Sequence, residues 1–185
     1  MSPFGGNDRS IVSVTAVGHA LVHTYELSLP IFMTIWLTEL ATSRSELGLV
    51  VGLGYALFGA GALPGGMLTD RFGSRRLIAG CLGGMAASFA LLALSSSLWA
   101  IGGCLLLWGL AASVYHPAGL SLISRGAYER GYAFAYHGTS GNAGIALGPL
   151  VTALLLLVVD WQTAALLLAL PAAAGALYAA RIELD

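Results

Sequence analysis

The sequence is dominated by long apolar segments that are separated by short polar connections. Division at the charged and turn-forming residues gives six segments, at 11–37, 47–68, 77–94, 98–123, 132–159 and 161–180. Their lengths suit the roughly 20 residues that an α-helix needs to cross the hydrocarbon core of a bilayer. Strands of a membrane β-barrel would instead be about ten residues long and would alternate in polarity. The pattern predicts an all-α membrane protein with six transmembrane helices.

The composition excludes several classes of function. Charged residues make up 9% of the chain and hydrophobic residues 57%, whereas about 25% of the residues in soluble domains are charged. The basic residues are spread over separate connections, which predicts no nucleic-acid partner. Cys81 and Cys104 lie in apolar segments without metal-ligand spacing, and we interpret them as small buried residues. We expect no enzyme activity, no catalytic residues and no cofactor.

The arginines predict the orientation of the chain. Six spans place both termini on the same side as the second-to-third and fourth-to-fifth connections. Only Arg44 lies on the opposite side. The positive-inside rule therefore predicts a cytoplasmic tail at 1–10, a transmembrane domain at 11–180, and a cytoplasmic tail or linker at 181–185. The basic residues on the predicted cytoplasmic side are Arg9, Arg71, Arg75, Arg76, Arg125, Arg130 and Arg181.

Ionisable residues occupy one face of the first predicted helix. His19, His23 and Glu26 are spaced four and three residues apart, so they project from the same side, and Pro30 follows on that side. Such groups are costly inside a bilayer unless they face a cavity or one another. We predict that they line a pathway for protons or substrate. The alternative is that they only pair with each other near the outer membrane surface.

The fourth predicted helix carries His116 directly before Pro117. Proline removes a helical hydrogen bond, and the neighbouring histidine could cover the freed carbonyl. This predicts either a kink with a polar lining, as part of the pathway, or a simple kink. His19 and His23 also have the spacing of metal ligands, but two histidines one turn apart are not specific. We predict no metal site and keep a histidine metal site as an alternative.

One face of the fifth predicted helix combines a histidine with small residues and a proline. Such a face can slide against a neighbouring helix or approach a ligand. Asn142 points elsewhere, and we expect it either to join two helices or to contact substrate. The residues of the face are His137, Gly141, Gly144, Gly148 and Pro149.

The connection between the second and third segments carries a charged motif, residues 66–76. It follows the pattern glycine, any, leucine, any, aspartate, arginine, aromatic, glycine, basic, basic, with Ser74 at a position that is usually basic. This motif resembles the signature of the major facilitator superfamily. The resemblance implies one six-helix half of a fold in which two such halves hold substrate between them near the membrane midplane. The matching residues are Gly66, Leu68, Asp70, Arg71, Phe72, Gly73 and Arg75.

The resemblance also implies a role for the motif as a cytoplasmic gate. In the family, the aspartate and the arginines form a latch that holds the outward-facing state. Asp70 would be favoured by the dipole of a nearby helix N-terminus, and Arg71 and Arg75 would pair with carboxylates across the seam between the halves. Gly66, Gly73 and Arg76 complete the gating motif. The alternative is that the arginines only fix the membrane orientation.

Two narrower resemblances concern transport itself. The segment 144–149 is similar to the core of a motif of proton-coupled exporters, with Thr152 where a glycine is usual. Segments of the first, fourth and fifth helices resemble the fosmidomycin-resistance-like branch of exporters. His23 stands where that branch has aspartate, and Leu105 where proton antiporters commonly have arginine. Those segments are Gly18-His19, Tyr25, Leu29-Pro30, 115–119 and 138–149.

Together these patterns predict secondary-active transport of small organic solutes in the cell membrane of a prokaryote. We expect proton-coupled efflux by an antiporter, as in drug resistance, through alternating access. The expected partners are the lipid bilayer, a small-molecule substrate and a second six-helix half, supplied by a separate chain or by a second copy. The alternative is a non-transporting membrane subunit or an assembly scaffold.

Overall fold

The computed structural model describes residues 6–184, and within that range the chain forms eight α-helices and no strand. The helices are α1 (Gly6–Glu39), α2 (Arg44–Ala60), α3 (Ala62–Phe72), α4 (Ser74–Leu92), α5 (Leu98–Ser113), α6 (Tyr115–Gly126), α7 (Arg130–Leu156) and α8 (Trp161–Arg181). The most extensive contacts join α1 with α7, α4 with α8 and α2 with α5.

Five spans are long and apolar enough to cross a membrane, and a sixth arises if α2 and α3 are counted as one span bent by 48°. The five are formed by α1, α4, α5 together with α6, α7 and α8. This confirms the predicted all-α membrane fold. The bend lies within the second predicted segment, for which the apolar pattern predicts a continuous helix.

The first helix begins earlier than its apolar segment. Residues 6–10 were predicted as part of a tail, but they form the first turns of α1. Asp8 explains the extension, because its carboxylate is buried and accepts hydrogen bonds from the backbone N–H groups of Tyr128 and Glu129, at 2.8 and 2.9 Å. The start of α1 is therefore fixed to the connection between α6 and α7.

Two spans are interrupted, and their interruptions lie side by side. The break between α2 and α3 is at Gly61, and the break between α5 and α6 is at Val114. A proline follows each break by three residues, and a proline cannot donate to the carbonyl four residues before it. Gly61 faces Ser113, because a Cβ on this glycine would overlap the serine side chain. The sequence predicts a kink at Pro117 but does not predict the break at Gly61.

The contact between α1 and α7 depends on three glycines of α7. A Cβ on Gly144 would lie 2.9 Å from the carbonyl carbon of Ala20, and a Cβ on Gly148 would lie 2.6 Å from the carbonyl oxygen of Thr24. Because these neighbours are backbone atoms, they cannot move aside as a flexible side chain would. Gly141 in turn faces the ring of His19. The predicted glycine face of the fifth helix thus packs on the backbone of the first.

We predict that Gly144→Ala weakens the α1–α7 contact. The added methyl group overlaps the backbone of Ala20, and such overpacking costs about 1–3 kcal/mol. Thermal unfolding of the purified protein in nanodiscs measures the effect. Gly138→Ala is the matched control, because a Cβ at Gly138 of the same helix meets no atom within 4 Å. An equal loss of stability in both variants would contradict this account of the contact.

A tyrosine of α1 enters the hydrogen-bond ladder of α8 beside Pro171. The hydroxyl of Tyr25 donates to the carbonyl oxygen of Leu168 and accepts from the N–H of Ala172 at 3.1 Å. In a regular helix that N–H and that carbonyl would bond directly to each other. The tyrosine ring is fully buried and contacts Phe89 at 4.5 Å between ring centroids. This link holds α8 against α1.

We expect Tyr25→Phe to lower the free energy of unfolding by about 1–3 kcal/mol, because buried backbone groups lose their partner while the ring is kept. Tyr128→Phe removes the same hydroxyl from a side chain that is 90% exposed and should have little effect. Unfolding midpoints of the two variants in the same detergent compare the two sites. A Tyr25→Phe protein as stable as the wild type would show that the hydroxyl does not support α8.

Candidate functional site

All four histidines of the chain meet at one place in the bundle. His19 and His23 come from α1, His116 from α6 and His137 from α7. The ring centroid of His19 lies 3.8 Å from that of His137, 4.7 Å from that of His23 and 5.2 Å from that of His116. The sequence predicts pathway residues on three separate helices, and the structure brings all of them except Asn142 together around His19.

A continuous chain of hydrogen bonds runs through the cluster. The carboxylate of Glu26 lies 2.6 Å from Nδ1 of His23, and Nε2 of His23 lies 3.0 Å from Nε2 of His19. Nδ1 of His19 in turn lies 2.7 Å from the backbone carbonyl oxygen of His137. The chain therefore connects a carboxylate of α1 with the backbone of α7 through two imidazole rings.

Two tyrosines hold the helices around this chain. Tyr55 of α2 donates to the backbone carbonyl of Glu26 at 2.7 Å. Tyr115 of α6 stacks on the ring of His19, with centroids 5.7 Å apart and planes inclined by 19°, and its hydroxyl donates to the carbonyl of Thr15. Tyr55 was not predicted, since a tyrosine within an apolar segment carries no signal of its partner.

The cluster is closed at one end and open at the other. His137 is 5% exposed, whereas the side chains of His23 and Glu26 are 17% and 21% exposed. The predicted pathway residue Asn142 is exposed on α7 and is not part of the hydrogen-bond chain. Since hydrocarbon is a costly environment for a carboxylate, the open end requires a polar surrounding within the membrane.

The glycine and proline residues make room for the cluster. A Cβ on Gly141 would lie 2.6 Å from Nδ1 of His19, so only a glycine leaves space for this ring. Pro117 follows His116 in the first turn of α6, next to the break at Val114. Pro149, by contrast, lies inside α7 without interrupting the helix.

Three of the histidines have donor atoms close enough to be considered as metal ligands. One nitrogen from each of His19, His116 and His137 lies within 4.8 Å of the others. However, the rings of His19 and His137 are stacked, with planes inclined by only 10° at 3.8 Å between centroids. The lone pair of an imidazole nitrogen lies in the ring plane, so two stacked rings cannot direct lone pairs at one ion. In this arrangement the histidines favour hydrogen bonding over metal coordination.

The charged motif at 66–76 lies where α3 ends and α4 begins. Asp70 forms an ion pair of 2.8 Å with Arg125 at the end of α6, and Arg75 donates to the carbonyl of Ile182 after α8 at 2.9 Å. The resemblance implies a partner across the seam for Arg75, but in the structure Arg75, like Asp70, has its partner within the chain. Both side chains of the ion pair are more than 60% exposed, and exposed pairs contribute only about 0–1 kcal/mol.

An open recess of about 750 Å³ gathers charged residues from three parts of the chain. Asp70 and Arg75 line it together with Arg125 and with Glu183 near the C-terminus. The α3–α4 connection, the end of α6 and the C-terminal residues therefore lie at one end of the bundle. A chain with six spans requires its second-to-third connection, its fourth-to-fifth connection and its C-terminus to lie on the same side of the membrane, and the structure agrees with this. The exposed Arg76 also lines this recess, and the guanidinium of the exposed Arg71 lies 5.2 Å from the ring centroid of Phe72.

Gly73 forms the turn of the motif with φ of 82° and ψ of 145°. Because residues with a Cβ rarely adopt this conformation, we predict that Gly73→Ala costs about 1–3 kcal/mol of stability. Gly66→Ala is the control, since Gly66 is helical and a Cβ there meets no atom within 4 Å. Unfolding in a detergent titration measures the stability of both variants. Equal stability of the two would show that alanine is not strained at this turn.

These observations define a class of protein: a multi-pass helical membrane protein with ionisable groups in its interior and a charged turn at one end. Residues 15–184 match the family described as the Major Facilitator Superfamily. The chain belongs to this superfamily, whose members are membrane transporters rather than enzymes. No curated protein matches the sequence. The predicted superfamily is confirmed, and the fosmidomycin-resistance-like branch stays a prediction.

Proposed function

We propose that the protein is one six-helix half of a proton-coupled exporter of small organic solutes, an antiporter that works by alternating access. The observation that carries this proposal is the hydrogen-bond chain from Glu26 through His23 and His19 to α7. The span of α1 runs from Asn7 to Glu39, so His23 is its central residue. Ionisable groups at such a depth are candidates for proton relays.

The imidazoles suit this role chemically. Histidine can donate at one nitrogen and accept at the other, and it changes charge within the physiological range of pH. His116 and His137 surround the chain with further polar groups, so that a proton entering at Glu26 meets other acceptors. All four histidines of the chain lie at this one site, and a purely structural role would not require that.

The open end of the cluster supports the need for a second half. Glu26 is accessible at its carboxylate, and Asn142 is exposed on the neighbouring α7. A second six-helix half would enclose both residues in a polar cavity instead of lipid, and would complete a substrate site near the midplane. That half is either a separate chain or a second copy of this chain. The two halves would move against each other, so that the site opens first to one side of the membrane and then to the other.

The motif at 66–76 would act as the gate on the cytoplasmic side of the cell membrane, with both termini on that side. Support comes from the arginines, which gather at the end of the bundle where Asp70 meets Arg125. In the complete transporter, the exposed Arg71 and Arg76 are free to engage the second half. The low strength of an exposed ion pair allows such a gate to open and close.

Transport assays in vesicles test the proposal. The protein, alone and as a tandem fusion of two copies, is reconstituted with a panel of fluorescent organic dyes that includes ethidium. We expect an imposed pH gradient to drive dye movement through the wild type, and His19→Ala and Glu26→Ala to reduce this movement to that of protein-free vesicles. Gly138→Ala is the control for purification and reconstitution of a variant protein. Dye flux that is independent of the gradient in the wild type and both variants would contradict proton coupling.

A further inference from the structure

We propose that a groove between α1 and α8 binds an anionic phospholipid, with one acyl chain in the groove and the phosphate at the end near the chain termini. The groove is open and has a volume of about 510 Å³. Apart from the hydroxyl of Tyr178 at one end, the side chains of its walls are apolar, so hydrocarbon is the chemistry that fits it. The wall residues are Val17, Ala20 and Leu21 of α1 and Pro171, Ala174 and Gly175 of α8.

A glycine forms the floor of the groove. A Cβ on Gly175 would lie 2.8 Å from the side chain of Leu21 and 3.2 Å from that of Leu82, so a larger residue here would press on both side chains. Gly175 is buried, whereas Val17 and Tyr178 on the two walls are 39% and 40% exposed. The groove is therefore a depression between two packed helices and not a gap in the core.

The position of the groove along α1 matches one leaflet of the bilayer. The span of α1 runs from Asn7 to Glu39, so its centre is His23, and Leu21 at the inner end of the groove lies beside this centre. From Leu21 to Ser13 the helix rises about 12 Å, because each residue adds about 1.5 Å. One leaflet of the hydrocarbon core is about 15 Å thick. The groove can thus accompany an acyl chain through its own leaflet.

A pair of hydroxyl groups ends the apolar part of the groove. Oγ of Ser13 lies 2.5 Å from the hydroxyl oxygen of Tyr178, and this hydrogen bond joins α1 to α8. Arg9 precedes Ser13 by one turn on the same face of α1, and Arg181 follows Tyr178 by three residues on α8. Because the first and sixth spans run in opposite directions, both arginines lie beyond the hydroxyl pair at the same end of the groove.

The charges at this end of the groove favour an anion. Arg9 and Arg181 are exposed, and neither forms an ion pair with a carboxylate of residues 6–184. The acidic residues closest to them in sequence are directed elsewhere. The carboxylate of Asp8 is buried and bonded to the backbone of the α6–α7 connection, and Glu183 lines the recess beside the charged motif. The two guanidinium groups are therefore available to a phosphate, whose oxygen atoms suit their geometry.

The groove faces the bilayer and not the histidine cluster. Val17 and Glu26 are nine residues apart, about two and a half helical turns, so their side chains lie on opposite sides of α1. A second six-helix half that encloses Glu26 leaves the groove to lipid. With both termini in the cytoplasm, as proposed above, the groove lies in the leaflet that carries anionic lipids. No residue of the groove belongs to the proposed proton pathway, so lipid binding stands or falls separately from proton-coupled transport.

Binding of two lipids that differ in headgroup charge tests the site. Phosphatidylglycerol and phosphatidylcholine with the same acyl chains are added in turn to the protein in detergent, and the bound lipids are counted by native mass spectrometry. We expect one phosphatidylglycerol to bind about 25-fold more tightly than phosphatidylcholine, because each arginine at such a surface contributes about fivefold. Equal binding of the two lipids, or a stable dimer that binds neither, would overturn the proposal.

Two pairs of substitutions separate the arginines of the groove from other arginines. Arg9→Gln combined with Arg181→Gln should remove the preference for phosphatidylglycerol. Arg44→Gln combined with Arg130→Gln removes the same charge from other exposed positions and should leave the preference unchanged. An equal loss in both double variants would show that the preference follows the total charge of the protein, and this would contradict a site at the groove.

Filling the groove tests the position of the acyl chain. Ala174→Phe places a ring in the groove from an exposed position, so the core keeps its packing. We expect this variant to lose the tight phosphatidylglycerol site, whereas Ala180→Phe, at an exposed alanine of the same helix outside the groove, keeps it. Glycerol phosphate, which has the charge but no acyl chain, should not displace the lipid. Tight binding to Ala174→Phe, or displacement by glycerol phosphate, would show that the groove does not hold the chain.

A photoreactive lipid locates the site in the wild-type protein. Phosphatidylglycerol with a diazirine in its acyl chain is bound and irradiated, and the modified peptides are sequenced by mass spectrometry. We expect labels within residues 17–21 of α1 and 171–178 of α8, and their loss when unlabelled phosphatidylglycerol is added in excess. Labels confined to other helices would refute the proposed site.

Discussion

The close approach of α1 and α7 is the contact on which the site depends. Gly144 and Gly148 bring the two helix backbones together, and Gly141 leaves space for the ring of His19. Only at this separation can the imidazole stack on His137 and reach its carbonyl oxygen. A helix pair at ordinary distance would leave the same histidines with water or lipid as neighbours. The three glycines of α7 therefore determine both the packing of the two helix backbones and the polar contacts of the cluster.

Much of the architecture could be predicted from the sequence. Apolar length and the positions of charges define the spans, because hydrocarbon excludes polar backbone and charged side chains. The spacing of His19, His23 and Glu26 placed them on one helix face, and in the structure they form one hydrogen-bond chain. These are local properties, which depend on helical periodicity and on hydropathy.

The remaining features depend on contacts between distant parts of the chain. No local pattern indicates that His116 and His137 reach His19, since that depends on how three helices pack. The helical start of the predicted tail follows from the bonds of Asp8 to a connection about 120 residues later. The break at Gly61 was missed for a similar reason, because a glycine in an apolar run is equally consistent with a straight helix.

The adjoining interruptions of two spans have a mechanical consequence. The helix is bent by 48° at Gly61 and interrupted at Val114, and a proline follows each position by three residues, so bending there disrupts fewer backbone hydrogen bonds than bending elsewhere. The short segments beyond them, α3 and α6, contact each other, and Asp70 and Arg125 join their far ends. They form a paired lever with two joints at one level. Such a lever can tilt as a unit, and because His116 lies in the first turn of α6, that tilt would move one wall of the histidine cluster.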